Sequence, residues 1–346
     1  MTVTTFTAKD PDTGVVWDLR DIVSDIKWVT STDYAAGELT FKTVEVDEDY
    51  TPKNGSVVSF KWDKQSVFKG RIFKTSYSDD ETFSVTAYDS LRYFKNQDSL
   101  VWPVSTLTQR FTKVAKLAGV KYKVVSKSTH KLKAEVADSK SYFDMLKSSI
   151  SAVKSATDHQ YYLFDNYGVV ELRRMPHKAL KTIIGDKSEM TGFTYERSIE
   201  DTANVIRVIR SDKKKKQSTS STAKAKAKKE TEAEKVKNTK ITAVQVSGGS
   251  VARWGKLQYI EKAKDKANKA QMKQRAKELL KSKNKQKYTL TLKAIGNLDL
   301  VAGNSVYEKV KSLKQVGLGT KQLLITKATH NFDLAYTVDL ETKVKI

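Results

Sequence analysis

The stretch Leu39-Thr40-Phe41-Lys42 returns near the other end of the chain as Leu290-Thr291-Leu292-Lys293. In both stretches apolar and polar residues alternate, which is the period of a strand with one buried face. The elements that follow also come in the same order: a loop, a glycine turn, a strand and a closing hairpin. The matched segments are residues 54–58 with 303–306, 70–77 with 323–330, and 83–88 with 336–340.

This likeness between the two ends predicts two related β-domains with a different module between them. Residue identity between the copies is weak, so chance similarity among β-hairpins is the alternative. Repetition of one unit is typical of quasi-symmetric assemblies.

The first hundred residues read as short antiparallel strands. Residues 39–46, 57–62, 67–77 and 82–88 are rich in β-branched and aromatic side chains, and the polar turn Ser78-Asp79-Asp80-Glu81 separates the last two. Such runs with turns between them are typical of an antiparallel sheet or barrel. We therefore predict a first β-domain over residues 1–98.

A helical period begins after Trp102-Pro103. Apolar residues three and four apart predict one helix over residues 106–118, ending at Gly119, and a second over residues 142–156, capped by Ser141. Residues 161–164 and 169–172 then predict a hairpin. Together these elements predict a small α+β module over residues 99–175.

Strand patterns return in residues 176–346, which we interpret as the second β-domain. A Lys-rich run over residues 211–240 interrupts them, and it has almost no large apolar side chain. Such a segment cannot bury enough surface to offset its ordering entropy, so we predict a flexible insertion. Residues 258–282 predict a surface helix, because the apolar stripe formed by Ala263, Ala267, Ala270, Leu279 and Leu280 is narrow and most other residues are Lys or Gln.

The formal charge of +23 is concentrated in two segments, residues 211–240 with a net +7 and residues 261–288 with a net +8. One function class that this charge permits is a nucleic-acid-binding protein. Nucleic-acid-binding proteins usually concentrate their positive charge on one folded face, with aromatic or base-contacting side chains among the basic residues. Here the excess falls in a low-complexity run and a polar helix, which favours a solvated surface.

No pattern in the sequence marks a catalytic, metal or cofactor site. The chain has no cysteine, and its four histidines, at 130, 159, 177 and 330, stand in no metal-ligand spacing. A nucleophile elbow, a phosphate-binding loop and a dinucleotide fingerprint are all missing from the sequence. Nor does any stretch approach the roughly 18 apolar residues of a membrane span. We expect a protein without enzyme activity, cofactor or bound metal.

Several local patterns, taken in order, resemble a known family. They are Val67-Phe68-Lys69-Gly70-Arg71-Ile72-Phe73, then residues 86–94, residues 202–208, Trp254-Gly255-Lys256-Leu257-Gln258-Tyr259, residues 297–306 and residues 325–340. This series resembles the baseplate central hub proteins of contractile-tailed phages, PBSX-like prophages and phage-tail-like bacteriocins. The family-like positions are Phe68, Gly70, Tyr88, Asp89, Asn204, Trp254, Gly255, Leu257, Gln258, Gly303 and His330. The Lys-rich run over residues 211–240 departs from the family pattern.

The resemblance implies a structural role in a particle baseplate, assembled in the host cytoplasm. Such hubs are homotrimers in which two tail-tube-like β-barrels per subunit form a pseudo-sixfold ring. They join the sixfold tail tube, or its initiator, to the threefold central spike, and they contact other baseplate proteins and the tape measure protein in the channel. A baseplate-associated cell-wall hydrolase is a further alternative, although no catalytic signature supports it.

Overall fold

The computed structural model describes residues 2–44, 50–213, 239–263, 267–318, 321–333 and 335–343. The chain divides into two compact units, one made of Met1–Tyr195 with Thr289–Ile346, and the other of Glu196–Tyr288. Most of the described structure is antiparallel strand, with few helices. The predicted α+β class with a predominance of antiparallel β structure is therefore confirmed.

The strands of the two end regions lie outside the helical module. Those of the N-terminal region are β1 (Val3–Lys9), β2 (Val16–Asp18), β3 (Val23–Ser31), β4 (Glu38–Val44), β5 (Val57–Trp62), β6 (Gln65–Tyr77) and β7 (Thr82–Tyr88). The helical module holds β8 (Gln97–Trp102), β9 (Ser105–Thr106), α1 (Leu107–Leu117), β10 (Tyr122–Val124), β11 (Lys131–Leu132), β12 (Glu135–Ser141), α2 (Tyr142–Thr157), β13 (Tyr161–Asp165) and β14 (Val170–Arg174). A short 3-10 helix, Ser90–Lys95, leads into the module, and a second one lies at Ser312–Val316.

The remaining elements begin after the module. They are β15 (Ala179–Gly185), β16 (Met190–Ser198), β17 (Val205–Lys213), β18 (Thr239–Ser247), α3 (Val251–Trp254), β19 (Gln258–Lys262), α4 (Lys269–Lys283), β20 (Lys287–Ile295), β21 (Ser305–Lys309), β22 (Lys321–Phe332) and β23 (Tyr336–Lys343).

One 13-stranded sheet contains most of the strands of the first unit in the described part of the chain. Its order is β16-β20-β23-β22-β3-β4-β7-β6-β5-β1-β2, with β21 beside β22 and β15 beside β21. Strands from the two ends of the chain therefore meet where β22 pairs with β3. Among the described residues the path stays open at β16 and at β2, so the sheet is not divided into two separately closed barrels.

The N-terminal part of the sheet buries one face against an aromatic core. Along β4 the buried residues are Leu39, Phe41 and Thr43, at the spacing of two that the sequence predicts. The rings of Phe6 and Phe41 meet edge to face with centroids 4.8 Å apart. Such ring pairs add about 0.5–1.5 kcal/mol to the stabilisation from burial.

The C-terminal part of the sheet packs on a core of aliphatic side chains. Leu290, Leu292 and Ala294 alternate inward along β20, and Val338 and Leu340 face them from the paired strand β23. Each fully buried leucine or valine contributes about 1.5–3 kcal/mol relative to an exposed one.

Both helices predicted in the module are present, within two residues of the predicted bounds. Thr106 caps α1 in a reciprocal pair of hydrogen bonds with Gln109, and Ser141 caps α2. The predicted hairpin is β13–β14, to which β10 adds a parallel strand. A core of their own lies under these elements, in which Phe111, Val114 and Leu146 are completely buried.

The second unit is a three-stranded sheet, ordered β18-β17-β19, with α4 packed on it. We predicted residues 176–346 as one domain, whereas residues Glu196–Tyr288 form a compact unit of their own. The centre of the predicted insertion, residues 214–238, lies outside the described residues. At its flanks, β17 and β18 pair in register from Val205 with Ser247 to Lys213 with Thr239.

The predicted helix over residues 258–282 is wrong in its first part. Gln258–Lys262 is the strand β19, which runs parallel to β17 with alternating burial. The helix begins at Lys269, where Asn268 and Gln271 form a capping box. Ala263 and Ala267 therefore precede the helix and do not belong to its apolar stripe. The buried residues of the helix are Met272, Ala276 and Leu279.

Among the described residues no helix is both long enough and apolar enough to span a lipid bilayer.

Candidate assembly site

The two end regions contain one four-strand unit twice. In the N-terminal copy, β4 to β7, the strands lie in the order β4-β7-β6-β5, and in the C-terminal copy, β20 to β23, in the order β20-β23-β22-β21. All six pairings within the two copies are antiparallel. The repeat that the sequence predicts is therefore a repeat of topology.

The register of the two copies agrees residue by residue. Leu39 of β4 lies opposite Ala87 of β7, and Leu290 of β20 lies opposite Thr342 of β23. This alignment superposes the two quoted stretches, residues 39–42 and 290–293, without a gap. Because a slip of one residue would turn each buried side chain to solvent, agreement of register is a stringent test of a repeat.

Both copies enter their second strand through the same glycine turn. The N–H of Gly55 donates to the carbonyl of Ile72 at 2.8 Å, and the N–H of Ile72 donates to the carbonyl of the residue after the glycine at 3.0 Å. Gly303 and Ile325 form the same two bonds, at 2.9 Å each. Both glycines have a φ of +90°, a conformation that L-residues with a side chain rarely adopt.

A bulge follows the turn at the same position in each copy. The pairing of β6 with β7 shifts between Ile72 and Lys74, and that of β22 with β23 shifts between Ile325 and Lys327. One extra residue, Phe73 in the first copy and Thr326 in the second, bends the strand there. The bulge thus divides the long third strand of each copy into two halves. In the C-terminal copy these halves pair with different neighbours, β21 and β3.

The second half of β22 joins the two copies in what we call the seam, the antiparallel pairing of residues 327–331 with 27–31. In the seam His330 pairs with Trp28, and their ring centroids lie 5.0 Å apart. The Nδ1 atom of His330 lies 2.8 Å from the hydroxyl of Tyr336. Complete burial lowers the pKa of His330 to about 3, so the imidazole is neutral at physiological pH.

Four of the family-like positions lie close together in the N-terminal copy. Phe68 is buried in β6, and Gly70 lies so close to the backbone of Tyr88 that no Cβ would fit. Asp89 follows Tyr88 directly and is the N-cap of the 3-10 helix Ser90–Lys95. These residues therefore fix the exit of the N-terminal copy into the helical module.

The Asp89 carboxylate holds two backbone groups. Its Oδ2 accepts from the N–H of Gly37 at 2.8 Å, and its Oδ1 accepts from the N–H of Leu91 at 2.9 Å. Asp165, at the end of β13, accepts from the N–H of Ser90 at 3.1 Å. Burial raises the pKa of Asp89 well above its usual range, and the neighbouring Asp165 adds to this effect; burial also raises the pKa of Asp165.

This pair of carboxyls is occupied with backbone N–H groups at the junction of β7 and the helical module, so its contacts are those of a structural pair. Sequence reasoning identified Asp89 but missed Asp165, whose only local signal is the hairpin turn Asp165-Asn166-Tyr167-Gly168. Among the described residues no group of three or more histidine, aspartate or glutamate side chains is arranged to hold a metal ion.

Three further family-like positions meet in the second unit. Asn204 is completely buried, and its side-chain Nδ2 donates to the carbonyl of Gly255 while its Oδ1 accepts from the N–H of Leu257, both at 2.8 Å. The amide thus clamps the turn that leads into β19. Trp254 is half-buried beside this turn with Arg253 over its ring, and Gln258 is exposed at the start of β19.

The last two family-like positions belong to the C-terminal copy. Gly303 forms the turn described above and packs against the ring of Tyr162, which occupies the space that a Cβ would need. His330 lies in the seam. The contacts with Tyr162 and Trp28 join segments far apart in sequence, and no local pattern could have indicated them.

A family model described as YQBQ-like matches residues 26–343. This chain belongs to the YQBQ-like family. The "Uncharacterized protein YqbQ" of Bacillus subtilis (strain 168) is 27% identical over 286 residues, which cover 82% of this chain and 79% of the relative. The "Phage-like element PBSX protein XkdQ" of the same organism is 28% identical over 274 residues, covering 78% and 77%. The resemblance to PBSX-like prophage proteins is thereby confirmed.

Solved structures share the fold over almost the whole chain. A 43 kDa tail protein of prophage MuSo2 from Shewanella oneidensis matches with a TM-score of 0.65 at 13% identity, covering 98% of both chains. A tail protein from Neisseria meningitidis MC58 also matches with a TM-score of 0.65, at 9% identity, covering 100% of this chain and 97% of the other. The chain therefore has the fold of these tail proteins.

Proposed function

We propose that this chain is the central hub of a contractile phage-type tail baseplate, a homotrimeric adaptor between the sixfold tail tube and the threefold central spike. Membership of the YQBQ-like family and the tail-protein fold support the class of protein, a structural component of a phage-type tail. The trimer, the adaptor role and the partners are the proposal.

The repeat in register is the observation that carries this proposal. Three chains that each contain two equivalent strand units can present six equivalent faces to a sixfold tube while keeping threefold symmetry towards a spike. A chain with one such unit would need six copies to do the same. Closed symmetry is the usual arrangement of homo-oligomers.

Each copy would provide one tube-like barrel of the assembled ring. Within the described residues of one chain the sheet is open, with exposed strand edges at its ends. Exposed edges are sites at which another chain adds a strand. In this proposal the barrels are completed by neighbouring subunits, the channel admits the tape measure protein, and the particle assembles in the host cytoplasm.

The proposed action is mechanical and includes no catalysis. The buried carboxyl pair Asp89 and Asp165 is bound to backbone groups, as described above, which is the role of a structural cap. A role as a cell-wall hydrolase would require release of peptidoglycan fragments by the purified chain, in excess of a buffer control.

The mass of the purified full chain in solution tests the proposal directly. We expect light scattering to give three times the mass of the chain, and class averages of single particles to show a ring with six similar lobes. A chain that remains monomeric at every concentration accessible to the measurement would contradict the trimeric hub.

A further inference from the structure

The seam pairs an edge of one copy with the strand that precedes the other copy, and an equivalent of each of these two edges occurs elsewhere in the chain. In the seam the second half of β22, from the C-terminal copy, pairs with β3, which precedes the N-terminal copy. The exchanged combination would be the second half of β6 with β16, the strand that precedes the C-terminal copy. Within one described chain these two edges do not pair.

The edge on β6 is formed by residues 74–76. Beyond the bulge at Phe73, β6 pairs with β7 on one side, whereas its pairing with β5 ends at Arg71. In the part of the chain that the structure describes, no strand lies on the other side of residues 74–76. The register places Lys74, Thr75 and Ser76 at the positions of Lys327, Ala328 and Thr329, which the seam covers with β3.

The edge on β16 matches β3 in the same way. The N–H of Val44 donates to the carbonyl of Ile22 at 3.4 Å, and the N–H of Ile295, at the equivalent position of the other copy, donates to the carbonyl of Glu189 at 2.8 Å. The strand β3 therefore starts in the same register as β16, with Val23 matched to Met190.

The two strands also share an irregularity. Val23 and Trp28, five residues apart, both pack on the N-terminal core, and β3 has a bulge between them. Met190 and Tyr195, also five residues apart, both pack on the C-terminal core. Since side chains alternate along a strand, an odd interval between two core residues requires a bulge. Tyr195 is thus equivalent to Trp28, and the next residue, Glu196, to Val29.

We propose that residues 74–76 of β6 pair with the outer edge of β16 in a neighbouring copy of this chain, in the register of the seam. The inference rests on the trimeric hub proposed above and names the two strands that connect its subunits, a pairing that we call the joint. It places Ser76 opposite Glu196, and Lys74 diagonal to Glu196, so that opposite charges lie within reach across the joint. Because the two edges differ, the contact is head to tail, and it gives a closed ring when the rotation between copies closes, as the trimer proposed above requires.

The seam also gives the hydrogen-bond phase of the joint. The N–H of Thr32 donates to the carbonyl of Thr326 at 2.9 Å. By the alternation of antiparallel ladders, Thr329 and Val29 are then a non-hydrogen-bonded pair, whose side chains approach more closely, and the N–H of Ala328 points at β3. By equivalence, Ser76 and Glu196 form the close pair, and the N–H of Thr75 points at the neighbouring chain.

Cysteine pairs test this register in a chain that contains no cysteine of its own. The variant Ser76→Cys with Glu196→Cys should, on mild oxidation of the full chain, give disulfide-linked species up to a covalent trimer that reducing agent collapses. The positive control is Thr329→Cys with Val29→Cys, which should form the same disulfide within one chain. The negative control is Ser76→Cys with Val136→Cys, since Val136 is 69% exposed but lies on β12, in a separate two-stranded sheet.

A backbone variant tests the joint without any cross-link. Thr75→Pro removes a donor that points away from β7, which an edge strand tolerates, while Thr75→Ala keeps the donor. We expect Thr75→Pro to raise the concentration at which the trimer dissociates by roughly tenfold or more, and Thr75→Ala to leave it unchanged.

The outcomes of these experiments test the proposed strand pairing separately from the proposed trimeric hub. A wild-type trimer that gives no cross-link between positions 76 and 196, although the Thr329 and Val29 control disulfide forms, would overturn the joint and leave the hub standing. A wild-type chain that stays monomeric would overturn both.

Discussion

The two copies of the strand unit share a backbone but differ in their side chains. The N-terminal core is rich in aromatic rings, whereas the C-terminal core is aliphatic. The position of Phe41 in the first copy is that of Leu292 in the second, and the position of Val85 is that of Leu340. The cores have different shapes, yet the registers agree. The register is therefore set by features that both copies retain, the glycine turn and the bulge, while the side chains have been free to change as long as they pack.

The glycine turn gives the largest expected effect, and the two copies should respond differently. A Cβ at Gly55 would meet Pro11 at 3.8 Å, an ordinary contact, whereas a Cβ at Gly303 would overlap the ring of Tyr162. Gly55→Ala should lower the free energy of unfolding by about 1–2 kcal/mol, from the positive φ alone. Gly303→Ala should lower it by about 2–5 kcal/mol, because overpacking adds to the same strain. Urea unfolding of both variants measures the difference.

Removal of the aromatic ring of Tyr162 supplies the control for this prediction. In a Tyr162→Ala background the extra cost of Gly303→Ala should disappear, and the two glycine substitutions should then cost about the same. Equal costs in the wild-type background would contradict the close packing of Gly303 on Tyr162.

The seam distinguishes the copies by its response to acid. His330 and Tyr77 stand at equivalent positions, and histidine is the residue type whose ordinary pKa lies near neutral pH. Since the pKa of His330 is lowered to about 3 in the folded chain, the unfolded chain binds the proton first. Its contribution to stability is complete above the unfolded pKa of about 6.5 and is lost as the pH falls from there towards 3, a loss of several kcal/mol.

The variant His330→Phe should remove this acid sensitivity, measured as the free energy of unfolding at a series of pH values between 7 and 4. His159 is exposed, so His159→Gln is the matched control and should leave the pH dependence unchanged. Acid sensitivity that persists unaltered in His330→Phe would exclude the seam histidine as its source.

Much of the local structure could be predicted because it is encoded locally. The alternation in residues 39–42 and 290–293, the glycine turns and the capped helices of the module all lie within a few residues of the signals that specify them. The helix start was misplaced because a stripe of alanines continues through Ala263 and Ala267, and alanine fits either a helix or its approach. Tyr259 and Ile260, which favour strands, were the competing signal.

The seam and the buried contacts could not be predicted, because they join distant segments. Residues 27–31 and 327–331 are some 300 positions apart, and no pattern in either stretch indicates that it pairs with the other. The outer strands illustrate the same limit: β1 pairs antiparallel with β5, whereas β15 pairs parallel with β21 at the equivalent edge. Whether such an edge strand runs parallel or antiparallel to its neighbour depends on the side from which the preceding segment enters the sheet. The periodicity of a strand sequence contains no information about this.

The smallest expected effect belongs to Asp89, which connects the N-terminal copy to the helical module. Because its folded pKa is raised by burial and by Asp165, the folded chain keeps the proton to higher pH than the unfolded chain. This contribution to stability is complete below the unfolded pKa of about 4 and is lost as the pH rises through the folded pKa. Its direction is thus opposite to that of His330.

The substitution Asp89→Asn isolates this carboxyl. One of its two oxygens becomes an amino group facing an N–H of Gly37 or Leu91, which should cost about 1–3 kcal/mol at pH 4 to 5. The asparagine carries no charge to desolvate, so the variant's deficit should narrow as the pH rises and the wild-type carboxyl ionises. Unfolding free energies of both proteins across this range measure the trend. A deficit that widens with pH would mean that the two N–H donors stabilise the ionised carboxylate more than burial penalises it.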